Sequence, residues 1–114
     1  MIIAQITDMH VRAPDGRCNG FIDTNGYLER AVDALNAMTP RPDVVLATGD
    51  LTDCGLPAEY GVLCAILGRL HMPVYAIPGN HDRRSEMRHA FAGSDYLPAD
   101  GPFLHYAVER HAVR

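Results

Sequence analysis

Little in this sequence points to a disulfide scaffold, a basic binding surface or a membrane span. Its 114 residues hold three cysteines, Cys18, Cys54 and Cys64. An odd set without CxxC spacing argues against a disulfide framework or a zinc ribbon, and the reducing cytoplasm is the simplest compartment. Positive charge is also short. The formal net charge is −4 with histidine neutral, so the basic footprint of a nucleic-acid-binding module is missing. An acidic chain that handles phosphate would need metal ions to supply positive charge. No apolar run reaches transmembrane length, and no basic segment precedes the first apolar stretch, so neither a membrane anchor nor a signal peptide is expected. No internal repeat or linker divides the chain. What is plentiful is apolar character, 47% of residues, enough for a globular core in one modest domain or in part of a larger one.

Three apolar stretches share a design. Residues 2–7 run into Asp8-Met9-His10, residues 43–48 into Gly49-Asp50, and residues 73–78 into Gly79-Asn80-His81-Asp82. Each reads as a buried strand that ends in side chains able to bind a metal. A carboxylate off the end of a buried strand is costly unless a cation meets it. Between the strands, a helix is expected from an N-cap at Thr24 or Asn25 to about Met38, with Leu28, Ala31, Val32, Leu35 and Met38 on one face. Pro40 and Pro42 end it. A second helix starts at Pro57, with Glu59 in its first turn and Tyr60, Leu63, Ile66, Leu67 and Leu70 as its buried stripe. Asp82 would cap a short helix over 83–92, and Phe103 to Val108 reads as a fourth strand.

Alternating strands and helices imply right-handed βαβ crossovers and a parallel sheet, so the fold class is α/β. In such sheets the ligand crevice lies beyond the carboxyl ends of the strands. Asp8, His10, Asp50, Asn80 and His81 all fall on that edge. Carboxylate, imidazole and amide oxygen together suit Mn²⁺, Fe, Co²⁺ or Zn²⁺ better than the all-oxygen preference of Ca²⁺ or Mg²⁺. Asp8 and His10 are two residues apart, and in an extended strand both would point to one side and chelate one ion. Asp50 could bridge to a second ion, to which Asn80 could belong. Paired metals roughly 4 Å apart generate a nucleophilic hydroxide and clamp a displacement at phosphorus. Taken singly, Asp8 and Asp50 read as ordinary turn residues after strands; taken with Asn80 and His81 they read as one site.

Asp8-x-His10, Gly49-Asp50-x-x-Asp53 and Gly79-Asn80-His81-Asp82, in this order, resemble the calcineurin-like metallophosphoesterases. The third block ends in Asp rather than Glu, and the second lacks the Asp-Arg-Gly ending of the protein serine/threonine phosphatases. Both features resemble the class III cyclic-nucleotide phosphodiesterase branch. Within it, Gly20-Phe21-Ile22-Asp23-x-Asn25 and Asp53-Cys54-Gly55-x-Pro57-x-Glu59-Tyr60 look like the bacterial glycerophosphodiester phosphodiesterases. The likeness covers the chain to about residue 82. It implies that Asp8 and His10 hold the first of two divalent metals, that Asp50 bridges, that Asn80 binds the second, and that His81 stabilises or protonates the leaving oxygen. It also implies that the chain is the amino-terminal βαβαβ portion of a four-layer α/β/β/α sandwich. The family pattern needs a later histidine and a Gly-His-x-His block, absent from residues 1–114, so this stretch alone is expected to bind metal poorly and turn over little substrate.

The implied function is metal-dependent hydrolysis of a small-molecule phosphodiester, first a glycerophosphodiester and second a cyclic nucleotide, in the cytoplasm. The alternative is an inactive scaffold that keeps the fold for protein interaction. If the complete site adds only neutral imidazoles, two dications, Asp8, Asp50 and a hydroxide leave one positive charge. A phosphodiester monoanion balances it and a monoester dianion overshoots. No nucleic-acid or membrane partner is expected, and a homo-oligomer stays open.

The remaining polar residues have plainer readings. Asp53 is expected to support the site or form a turn rather than to ligate. Cys54 is expected to be unreactive and Cys64 to be core; Cys18 lies in a loop. His71, His89, His105 and His111 fit no metal-binding spacing. Arg83 and Arg84 read as a solvated pair, and Phe21-Ile22 as an apolar loop segment that lines either a pocket or a subunit contact.

Overall fold

The computed structural model describes residues 1–111, so the last positions of the expected 1–114 domain lie outside it. Six elements alternate: β1 (Ile3–Ile6), α1 (Thr24–Ala37), β2 (Val44–Thr48), α2 (Pro57–Leu67), β3 (Val74–Ile77) and α3 (Arg84–Ala90). The strands form one parallel sheet in the order β1-β2-β3, with Ile3 opposite Val44 and Val45 opposite Val74. Successive right-handed crossovers that step the same way along a sheet put their helices on one face. That face carries the core. Ala47, Ala76 and half-buried Ile6 meet Leu28 and Val32 of α1, Leu63, Ile66 and Leu67 of α2, and Met87 of α3. The opposite face is an open apolar groove lined by Ile3, Val44, Leu46, Tyr75, Ile77 and Tyr106, among others. Among the described residues, no helix is long and apolar enough to cross a membrane.

Helix α2 follows its sequence signals. Pro57 opens it, and Glu59 in the first turn accepts from the amide of Leu56 at 3.2 Å, satisfying a donor that a helix start leaves unpaired. Tyr60, Leu63, Ile66 and Leu67 are buried and Leu70 is half-buried. Cys64 is partly buried on the same helix, and that burial pushes its thiol pKa up.

Four local expectations are corrected. The N-cap of α1 is Asp23, whose Oδ1 accepts from the amide of Gly26 at 3.1 Å. Thr24 and Asn25 are diverted elsewhere: the Thr24 hydroxyl donates to the carbonyl of His10, and the Asn25 carboxamide bonds both the N–H and the C=O of Arg12. Asp82 does not cap α3, whose N-cap position is Arg83; its carboxylate is taken by donors from other elements. Phe103 to Val108 forms no strand. The carbonyls leading into that segment are held by arginines of α3: Arg84 donates to Pro102, and Arg88 to Pro98, Asp100, Gly101 and Phe103. The place on β3 where a fourth strand would pair is also filled, since the N–H and C=O of Ala76 bond the hydroxyls of Tyr96 (3.3 Å) and Tyr106 (2.7 Å). Arg84 is therefore not merely solvated, and its guanidinium also lies 5.3 Å from the centroid of the Phe103 ring.

Candidate metal centre

Pairing between the first two strands continues past their ends. Beyond β1 and β2 the amide of Asp8 donates to Gly49, that of His10 to Asp50, that of Val11 to Leu51, and that of Asp53 to Val11. The loops that follow β1 and β2 are thus bonded side by side, which brings Asp8 and His10 next to Asp50. The third loop is attached by one carboxylate. Asp82 accepts from the amides of Leu51 (2.9 Å), Thr52 (3.0 Å) and Gly79 (2.8 Å), and from the hydroxyls of Thr52 (2.9 Å) and Tyr60 (3.0 Å). It joins the loop after β3 to the loop after β2. Gly79 packs so closely on Asp50 that a Cβ there would overlap the carboxylate and the backbone nitrogen of Asp50.

The candidate ligands sit on unusual backbone. Asp8, His10 and Asp50 have φ of 53°, 42° and 42°, a left-handed region that non-glycine residues rarely adopt and that costs of order 1 kcal/mol or more each. Asp8 and His10 are therefore not in an extended strand, and their convergence comes from two left-handed residues rather than from strand alternation. Asp8, His10 and Asp50 offer ligand atoms that all lie within 4.8 Å of one another. The Nε2 of His10 is 3.8 Å from Asp50 Oδ2. His81 joins the group through its amide, which donates to Asp50 Oδ1 at 3.0 Å, and its ring lies edge-on to that of His10 at 4.6 Å between centroids. Asn80 lies on the same loop, exposed, between Gly79 and His81, the two residues that touch Asp50.

His10, Asp53 and His81 form a second cluster of possible ligand atoms, but the oxygens of Asp53 are already engaged. Oδ1 faces His10 Nδ1 at 3.1 Å and the Cys18 thiol at 3.5 Å; Oδ2 accepts from Arg12 Nη1 at 2.6 Å and lies 3.7 Å from the Cys54 thiol. Partial burial raises the pKa of this carboxyl, yet the hydrogen bonds from Arg12, Cys18 and His10 outweigh burial and hold it below the ordinary carboxylate range. An ionised Asp53 accepts from Nδ1–H of His10, which leaves the Nε2 lone pair turned to Asp50 and free for a metal. The position of Asp53 agrees with a supporting role. His81 is oriented in the same manner. Its Nδ1 is 2.7 Å from the carbonyl oxygen of Asp53, an acceptor only, so Nδ1 carries the proton and Nε2 points elsewhere. That carbonyl raises the His81 pKa, desolvation opposes it, and the nearby carboxylates of Asp50, Asp53 and Asp82 add to the rise.

A mixed set of carboxylate oxygens and an imidazole nitrogen converging within a few ångströms, with the imidazole preset by a carboxylate behind it, fits a divalent transition metal. His71, His89, His105 and His111 join neither cluster. A cavity of about 340 Å³ opens beside Asp8, lined by Ile6, Met9, Tyr27 and Leu28 among others. Phe21 is 77% exposed and does not line that cavity. Arg12 carries no signal in the sequence for its place here, while Thr24, Asn25 and Asp82 make contacts other than the caps expected of them. The Asp at the end of the Gly79-Asn80-His81-Asp82 block was the one visible signal, and its partners lie about 30 residues upstream.

Comparison with known proteins accords with this geometry. The family model described as calcineurin-like phosphoesterase matches residues 1–110. The glycerophosphodiester phosphodiesterase GpdQ of Enterobacter lignolyticus is 36% identical over 115 residues, covering 100% of this chain and 41% of that protein. A probable glycerophosphodiester phosphodiesterase GpdQ of Arcobacter nitrofigilis is 32% identical over 114 residues, with 100% and 41% covered. The 3',5'-cyclic adenosine monophosphate phosphodiesterase CpdA of Pseudomonas aeruginosa is 35% identical over 97 residues, covering 85% of this chain and 36% of that protein. The chain thus spans about two fifths of the length of the curated relatives it matches. With the motif blocks, their convergence and the family match in agreement, the chain belongs to the calcineurin-like phosphoesterase family.

Proposed function

We propose that residues 1–114 are the amino-terminal portion of a single metallophosphoesterase domain and supply part of a dinuclear metal site that hydrolyses phosphodiesters. The observation that carries this reading is the convergence of Asp8, His10 and Asp50 within 4.8 Å, from the ends of two different strands. Asp8 and His10 would hold the first ion, Asp50 both, and Asn80 the second. Such ions supply a nucleophile near neutral pH and charge stabilisation at phosphorus. Asp53 keeps His10 in the tautomer with Nε2 unprotonated. His81, with Nδ1–H committed to the Asp53 carbonyl, offers Nε2 to the phosphate and, when protonated there, gives that proton to the leaving oxygen. The cavity beside Asp8 gives the organic part of a diester an apolar wall.

Glycerophosphodiesters are the first substrate class, supported by the likeness to the GpdQ proteins, and cyclic nucleotides the second, supported by the likeness to CpdA. Free thiols at Cys18, Cys54 and Cys64 favour a reducing compartment such as the cytoplasm. The test is Mn²⁺-dependent hydrolysis of bis(p-nitrophenyl) phosphate by the complete protein. Absence of activity with every divalent metal tried would overturn the enzyme reading in favour of a scaffold that keeps the fold for protein interaction.

A further inference from the structure

The contacts that orient His10 do not stop at Asp53. Arg12 Nη1, which donates to Asp53 Oδ2 at 2.6 Å, is also 3.5 Å from Oε1 of Glu59. Glu59 is a carboxylate at 0% exposure in the first turn of α2. Its Oε2 accepts from the amides of Cys54 (2.9 Å) and Leu56 (3.2 Å), so that one oxygen meets the needs of the helix start. Its Oε1 is buried without a hydrogen bond, and so is Nε of Arg12. A fully buried carboxylate with an oxygen to spare is expensive unless a charge faces it. Arg12 is the cation that does so.

Arg12 therefore stands between two carboxylates. Its backbone is fixed independently, through the Asn25 carboxamide on both its N–H (2.9 Å) and its C=O (3.0 Å), so its guanidinium is presented from a clamped position. Charges alternate along the line Glu59, Arg12, Asp53, which ends at the Nδ1–H of a neutral His10. Because Glu59 shares the arginine charge, Asp53 is less neutralised and remains a strong acceptor for Nδ1–H of His10.

We infer that Glu59 and Arg12 are positioning residues for the metal centre: through Asp53 they fix the ring of His10, and α2 thereby sets the geometry of a ligand it does not itself provide. The inference rests on the metal reading proposed above. The test is Mn²⁺ affinity of the complete protein, measured by titration calorimetry, for wild type, Glu59→Gln, Asp53→Asn and the double variant. Glutamine keeps the size of Glu59 and an acceptor for the Cys54 and Leu56 amides while removing the charge facing Arg12. Glu59→Gln is expected to weaken Mn²⁺ binding about 10- to 100-fold, as loss of partners behind a ligand does. In the Asp53→Asn background it is expected to add little, because it acts through Asp53; a merely structural residue would give additive losses. Should Glu59→Gln fail to fold, Arg12→Gln takes its place in the same cycle. Wild-type affinity in the single variant, or additive losses in the double variant, would overturn the inference and leave the metal reading standing. A wild-type protein that binds no Mn²⁺ would overturn both.

Discussion

His10 and Asp53, 43 residues apart, face each other at 3.1 Å between Nδ1 and Oδ1. This contact decides which histidine nitrogen is left for a ligand, and it exists because the loops after β1 and β2 stay paired past the end of the sheet. Four expectations follow from that arrangement and from the carboxylate of Asp82.

Asp50 and His81 should fail differently. Asp50→Ala removes the residue proposed to serve both ions, so metal content and turnover should fall together, the latter by at least about 10²-fold. His81→Ala should retain metal and lose about 10²- to 10⁴-fold in kcat, the range for a group that stabilises or protonates in the transition state. Metal analysis alongside kinetics separates the two, and equal metal loss in both variants would contradict the assigned roles.

If the complete site holds two dications and a hydroxide with Asp8, Asp50 and neutral imidazoles, as proposed, its charge balance favours a monoanion. The complete protein should hydrolyse the methyl diester of a phosphomonoester with kcat/KM about tenfold or more above that of the monoester itself, a difference of about 1.4 kcal/mol. Comparable values would show that the charge of the site does not select its substrate.

Gly79 touches Asp50 where a Cβ has no room. Gly79→Ala must push the loop after β3 away from the loop after β2. It should lower stability by about 1–3 kcal/mol in urea unfolding and weaken metal binding. A variant with unchanged unfolding midpoint and metal affinity would show that the close approach is dispensable.

Asp82 accepts five hydrogen bonds from three parts of the chain. Asp82→Asn turns an amide NH₂ toward donors and leaves some unpaired in a half-buried place, at a cost of about 2–4 kcal/mol. Tyr60→Phe, which removes one of those donors, should cost about 1 kcal/mol and leave metal content intact. Urea denaturation of the two variants checks the order; a larger loss for Tyr60→Phe would reverse it.

Features carried by consecutive residues were legible in the sequence. The apolar runs that became β1, β2 and β3, Pro57 and Glu59 at the head of α2, and the stripe from Tyr60 to Leu67 all announce themselves through local pattern. Strand polarity also assigns the candidates Asp8, His10, Asp50, Asn80 and His81 to one edge of the sheet, and of these Asp8, His10 and Asp50 converge within 4.8 Å. Features that depend on distant partners were not legible. Thr24 and Asn25 look like N-caps, and nothing nearby shows that His10 and Arg12 claim them. Asp82 precedes a helix and reads as its cap, while its donors come from Leu51, Thr52 and Tyr60. The pattern at 103–108 suits a strand, but Arg84, Arg88, Tyr96 and Tyr106 commit the backbone groups on both sides of the pairing. Left-handed φ at Asp8 and His10 has no local signal, since neither residue is glycine.

The two tyrosine hydroxyls at Ala76 bear on assembly. They occupy the middle of one border of the sheet, whereas the border formed by β1 has no neighbouring strand among the described residues. Sideways growth is therefore directional: an added strand, from this polypeptide or a second copy, would join alongside Ile3–Ile6 or first have to evict two aromatic rings.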